Sequence, residues 1–169
     1  MDTIHAIFTR RSIRKYAPAT IPKDIIETWI NCGMHAPSAG NEQAWHFLVI
    51  DDQVILKQIP TFHHHADMIA NASLGILICI DSTLEKHSSM AIQDCSAATQ
   101  NILLAVHESG FGAVWLGVYP RQKRIDGLRT LLNIPESIIP FSLISIGKPN
   151  ETKMTPDRFK KDRIHHNKW

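Results

Sequence analysis

The chain has 169 residues, 44% of them hydrophobic and 20% charged, with a formal net charge of +2. That length suits one domain with a real core, and so mild a charge without a long cationic stripe argues against general nucleic-acid binding. No apolar run reaches the ~18 residues of a bilayer span, "MDTIHAIFTRR" has no signal-peptide core, and three cysteines without C-x-x-C spacing read as reduced thiols, so a cytoplasmic protein away from membranes is expected.

Ile4, Ile7 and Phe8 recur at helical spacing and predict a short amphipathic helix over residues 3 to 9. "FTRRSIRKYAP" follows, with Arg10, Arg11, Arg14 and Lys15 crowded together. If residues 10 to 14 are extended, Arg10, Ser12 and Arg14 share one face, and the two arginines stand roughly 13 Å apart at ~3.3 Å per residue. Such a face could follow an elongated ligand with an anionic end, because a guanidinium fork binds two phosphate oxygens at once. A solvated basic turn is the alternative.

Pro22 fits the first position of a second helix, with Asp24 and Glu27 early and an apolar stripe of Ile25, Ile26, Trp29 and Ile30. The helix should stop before Pro37. "APSAGNEQAWHF" (36–47) then leads into a strand. Its small residues allow close approach to a flat ligand, and the amides of Asn41 and Gln43 each donate and accept; an ordinary loop with an N-cap serine is the alternative.

"HFLVID" (46–51) and "LGILICID" (74–81) read as strands, the second apolar on both faces and so central. Between them, a helix is expected, and "TFHHHADM" reads as a solvated loop near the mouth of a site. Adjacent histidines diverge, which disfavours a dedicated metal site. A long helix from Ser89 to Ser109 is apolar around most of its circumference, with Cys95 in the core and Gly110 as its stop. "AVWLGVY" and "FSLISIG" supply two further strands, separated by the helix "QKRIDGLRTLL" and a loop at Pro135. "GFGAVWLG" fails the G-x-G-x-x-G pattern, and no G-x-S-x-G is present. The tail, 150 to 169, carries Phe159, Ile164 and Trp169 and is expected to lie along a surface such as that of a partner subunit.

Five segments in order, "RRSIRKY", "APSAGNEQAWHF", "GFGAVWLGVYP", "IGKP" and "DRFKKDRIHHNKW", resemble the FMN-dependent nitroreductase family in its short form. The resemblance implies an α+β fold of three layers, with a central mixed, mainly antiparallel sheet flanked by helices. It also implies one domain over residues 1–169 and an intertwined homodimer whose C-terminal arm, 150–169, packs on the partner, with FMN at the interface. Arg10, Arg11, Ser12 and Arg14 match the segment that follows FMN from phosphate to pyrimidine edge. Pro37, Ser38 and Ala39 match a loop that approaches the flavin of the other subunit, and Asn41 and Gln43 match amides near the ring. Trp115, Leu116 and Gly117 match a strand whose backbone meets the ring edge, and Arg158 matches a tail arginine at the phosphate. One departure is Ala44, where relatives usually carry proline. The implied activity is oxidoreduction: NAD(P)H as transient donor, a small nitroaromatic or quinone-like acceptor, ping-pong turnover and no catalytic side chain. A non-catalytic FMN carrier is the alternative.

Overall fold

The computed structural model describes residues 2–169. In chain order the elements are α1 (Thr3–Thr9), β1 (Tyr16–Ala17), α2 (Lys23–Met34), β2 (Trp45–Ile50), α3 (Gln53–Gln58), β3 (Leu74–Asp81), α4 (Ala91–Glu108), β4 (Gly112–Gly117), α5 (Gln122–Leu132) and β5 (Ile138–Pro149). Short 3-10 turns lie at Ala39–Asn41, Ile59–Thr61, Asp67–Asn71 and Lys161–Arg163.

β5 is the rib of the sheet. It pairs antiparallel with β3, with β4, and at its C-terminal end with β1, while β3 pairs onward to β2. All strand pairs are antiparallel; a single parallel bridge joins Ser12 to Ala113. Every residue of β3 is buried, as its two-faced apolar run requires. Successive side chains go to opposite layers. Ile76, Ile78 and Ile144 meet α2 and α4 through Trp29, Ala98 and Ile102, whereas Leu77 and Leu143 meet Leu56 of α3 and Leu128 of α5. Helix, sheet and helix therefore form three layers, the α+β arrangement implied by the sequence.

Two details place the functional groups. First, α4 ends in a double cap: Phe111 N–H donates to Val106 C=O and Gly110 N–H to His107 C=O, with Gly110 at φ +78°. That geometry favours glycine and turns the chain straight back into β4. Second, Trp29 is fully buried, donates from Nε1 to Ser109 Oγ at 3.0 Å and packs edge-on against Phe111. The α2 stripe thus locks the C-terminal end of α4.

Most predicted boundaries agree to within a residue or two. The exceptions have local causes. Pro22 caps α2 from outside with extended backbone and is not its first helical residue. β1 is too short to show a period in the sequence. α4 begins at Ala91, because Ser89 takes φ +67°.

Candidate functional site

The basic segment leaves α1 at Arg10 and runs along the free edge of β4. Ile13 N–H donates to Ala113 C=O at 2.9 Å. Gly112 permits this approach, since a Cβ there would stand 2.8 Å from the Ile13 side chain. The tail returns beside the same segment. Asn150 N–H donates to Lys15 C=O at 2.9 Å, and Glu151 Oε1 accepts the N–H of Arg14 at 2.5 Å and of Lys15 at 3.2 Å. Lys153 Nζ donates to Ser12 C=O at 2.8 Å, and Arg11 Nε to Met154 C=O at 3.0 Å. This strap carries Arg158 back to the level of Arg10.

The result is a cluster of cations without an ion pair to a carboxylate among the described residues. Burial, and then the charges of Arg11 and Arg158, hold the Arg10 pKa below its ordinary value. Arg10 Nε is buried and has no hydrogen-bond partner. His107, on the last turn of α4, is pushed down by burial and then by Arg10. Like charges gathered around a buried, unpaired donor repel one another, and an anion seated between them would relieve that repulsion.

Further along β4, alternation decides which backbone groups are free. Ala113 faces the basic segment, so Trp115 and Gly117, two and four residues on, present their N–H and C=O groups to the same edge. Arg14, Trp115, Leu116, Gly117, Met68, Arg124 and the three histidines 63–65 line a cavity of about 530 Å³ there. The Gly117 carbonyl accepts from Arg124 Nη1 at 2.6 Å and contacts His63 Nε2 at 3.0 Å. Because that oxygen can only accept, the His63 proton resides on Nε2. Burial and the Arg124 charge lower the His63 pKa, and its Nδ1 is buried without a partner.

The amide loop lies elsewhere. Ala39 N–H donates to both carboxylate oxygens of Asp94 at 3.2 Å, Gln43 N–H donates to Ser38 Oγ at 3.1 Å, and Gln43 Nε2 donates to Asn41 Oδ1 at 3.1 Å. Glu42 pairs with His87 and accepts its N–H. Asn41 and Gln43 both hold positive φ, at 54° and 51°, and with Pro37 they face outward. Asp94 is on the first turn of α4 and His107 on its last, so the loop and the cationic cluster are separated by about 20 Å at 1.5 Å per residue.

One protomer therefore brings together Arg10, Arg11, Ser12, Arg14, Trp115, Leu116, Gly117 and Arg158. It does not bring Pro37, Ser38, Ala39, Asn41 or Gln43 to them. Arg11 is tied to the tail backbone, which makes it part of the strap as well as of the cluster. His64 and His65 are exposed, but His63 is buried, which corrects the expectation that all three are solvated. A signal existed: Ile59, His63, Ala66 and Ile69 are all buried and recur every three or four residues, a helical face interrupted by Pro60. Arg124 was also missed, and nothing local marks it. Cys95 is core, its thiol pushed up to about 12 by burial. Among the described residues no helix is long and apolar enough to cross a membrane.

The fold and sequence are shared with known proteins. The nitroreductase family model matches residues 7–63 and 61–148. A Methanothermobacter thermautotrophicus protein named "Putative NADH dehydrogenase/NAD(P)H nitroreductase" is 48% identical over 169 residues, spanning 100% of this chain and 88% of its own. The crystal structure of a protein of the same name from Parabacteroides distasonis superposes with a TM-score of 0.94 at 35% identity, covering 99% of this chain and 98% of that one. An FMN-dependent nitroreductase from Clostridium difficile gives a TM-score of 0.91 at 27% identity, covering 99% and 100%. Sequence and fold thus agree from end to end, and the chain belongs to the nitroreductase family.

Proposed function

We propose that this chain is an FMN-dependent NAD(P)H oxidoreductase, working as a homodimer and reducing small nitroaromatic or quinone-like acceptors in ping-pong fashion. The observation that carries the reading is Arg10: a half-buried guanidinium with an orphaned Nε, its pKa lowered by burial and then by Arg11 and Arg158. A phosphate dianion supplies the missing charge and acceptors. The residues present fit the group.

Arg10 and Arg158 hold the phosphate, joined by the Ser12 hydroxyl and by Arg11 on the strap. Arg14, at the far end of the extended run, would bring a cation to the pyrimidine edge of the ring and stabilise negative charge there. The Gly117 N–H and the Trp115 backbone would offer hydrogen bonds from the edge of β4, while the Gly117 carbonyl is taken by Arg124 and His63. Bound there, FMN would supply the hydride and electron transfer between NAD(P)H and the acceptor. The chain contributes binding, orientation and exclusion of water, and no side chain acts as general acid or base.

A second copy completes the site. The loop 36–43 stands too far from Arg10 to serve its own protomer's flavin, and its exposed amides suit a neighbour's. Several features support such an assembly. An apolar hollow of about 510 Å³, including Ala6, Cys32, Leu104 and Ala105, lies open between α1, α2 and α4. Ile4, Ile7 and Phe8 of α1 and Phe159, Ile164 and Trp169 of the tail are exposed. Exposed apolar residues gathered in this way suit an interface. Residues 150–154 bind the protomer's own basic segment, which corrects the expectation that the whole arm packs on a partner, and only its outer part, 159–169, is assigned to the partner's surface.

The test is an absorbance spectrum of the purified protein with FMN, before and after anaerobic NAD(P)H. A yellow protein that bleaches and regains colour with a nitroaromatic or quinone is expected. One that stays yellow is a carrier, and one that takes up no FMN overturns the reading.

A further inference from the structure

The cavity beside Gly117 holds two arginines, and only one has a task. Arg14 belongs to the cofactor run, but Arg124, on the first turn of α5, does not. Among the described residues no carboxylate lies within ion-pair distance of either one, and Asp67 is the only acid lining the cavity. Arg124 is half-buried and fixed: a single N–H, at Nη1, donates to Gly117 C=O at 2.6 Å. His63 Nε2 holds the same carbonyl from another side at 3.0 Å, so the oxygen is anchored twice. The remaining guanidinium N–H groups have no partner among the described residues. A pre-oriented fork with spare donors, in a cavity with surplus positive charge, is a carboxylate receptor.

Resting on the FMN reading above, we propose that Arg124 is a specificity-determining residue that anchors an anionic group on the electron acceptor, so that carboxylate-bearing aromatic molecules are preferred over neutral ones of the same shape. The Gly117 carbonyl and His63 act as its positioning groups. Holding the fork in place in advance lowers the entropy lost when the acceptor docks. Arg124 shares its cavity with Arg14 and Gly117 but lies on a different element from the phosphate cluster, so FMN uptake by its variants is measured separately from probe binding.

The experiment titrates the FMN-loaded protein with benzoate and with benzamide, following the perturbation of the flavin absorbance band, for the parent, Arg124→Gln and Arg124→Lys. Neither probe is reducible, so the readout does not depend on turnover. The parent should bind benzoate about tenfold or more tightly than benzamide. Arg124→Gln should bring that ratio close to one while taking up FMN as the parent does, and Arg124→Lys should recover part of it. The kcat/KM ratio of 4-nitrobenzoate to 4-nitrobenzamide should follow the same order. Three results would overturn the proposal: a parent with no preference for the anion, a Gln variant that weakens both probes equally, or a Gln variant that loses FMN. Failure of the parent to bind FMN at all would strike the underlying reading instead, and this inference with it.

Discussion

The two ends of α4 carry opposite kinds of half-site. At its C-terminal end, Arg10, Arg11, Arg158 and His107 crowd together with a buried donor unsatisfied. At its N-terminal end, the loop 36–43 is internally satisfied: Asp94, Ser38 and Glu42 take up its backbone and neighbouring N–H groups, and its amides face out. The first region is frustrated without a ligand and the second is content without one. The comparison teaches that the anion, not the amide loop, is what the single chain lacks. In the proposed dimer the loop would act at another copy's cluster, since its own helix holds it about 20 Å away.

The sharpest way to break this comparison is complementation. If the site is shared, Arg10→Ala and Asn41→Ala chains, assayed at an FMN concentration that fills the parent but leaves each variant largely empty, should regain about a quarter of parental activity when unfolded and refolded together, because half of random dimers are mixed and each mixed dimer has one intact site. No recovery would mean that both regions serve the same protomer's site.

Trp29→Ala tests whether the two ends are held by one rigid helix. Emptying this fully buried position should cost about 3–5 kcal/mol, read as a lower midpoint in urea. An unchanged midpoint would show that α4 does not depend on the α2 stripe.

Arg10→Ala should weaken FMN binding about tenfold to a hundredfold, in line with loss of a charge-assisted pair of roughly 1.5–3 kcal/mol. Without FMN, the same variant should be at least as stable as the parent, since it relieves repulsion from Arg11 and Arg158. Flavin fluorescence titration and thermal melts of the apo protein check the two signs. A variant less stable as apo protein would contradict the frustration argument.

The smallest effects concern pH. His63 and His107 both have lowered pKa values in the fold, so below the ordinary value of 6.5 the unfolded chain binds more protons than the native one. Apo-protein stability should therefore fall as pH drops from 6.5 toward the lowered values, and His63→Gln should flatten part of that slope. Glu151 is held low chiefly by the Arg14 N–H. Its strap is complete above pH 4.5, the ordinary value, and should loosen as pH falls through the depressed one. Glu151→Gln should remove this step from a pH series of FMN affinity.

Much of this arrangement was legible in the residues. The two-faced apolar run of β3, the stripe of α2 and the glycine stop of α4 announced their elements, because each is a local periodicity or a local backbone demand. The order of five motifs announced the family. Arg10, Ser12 and Arg14 could be nominated because an extended segment repeats every two residues. Arg124 could not, because its meaning depends on a carbonyl seven residues earlier being turned to a free sheet edge. His63 was misread because a proline-broken helix hides its period.

The sequence by itself determined which segments are helices and strands, which family they belong to, and that one short stretch carries more positive charge than water alone readily explains. Tertiary structure alone decided that the tail doubles back on that stretch, that Gly117 binds His63 and Arg124 together, and that the amide loop faces away. The reason is range. Periodicity and capping act over a few residues and are written in order along the chain, whereas contacts across 141 residues, such as Lys153 to Ser12, depend on the register of the whole sheet.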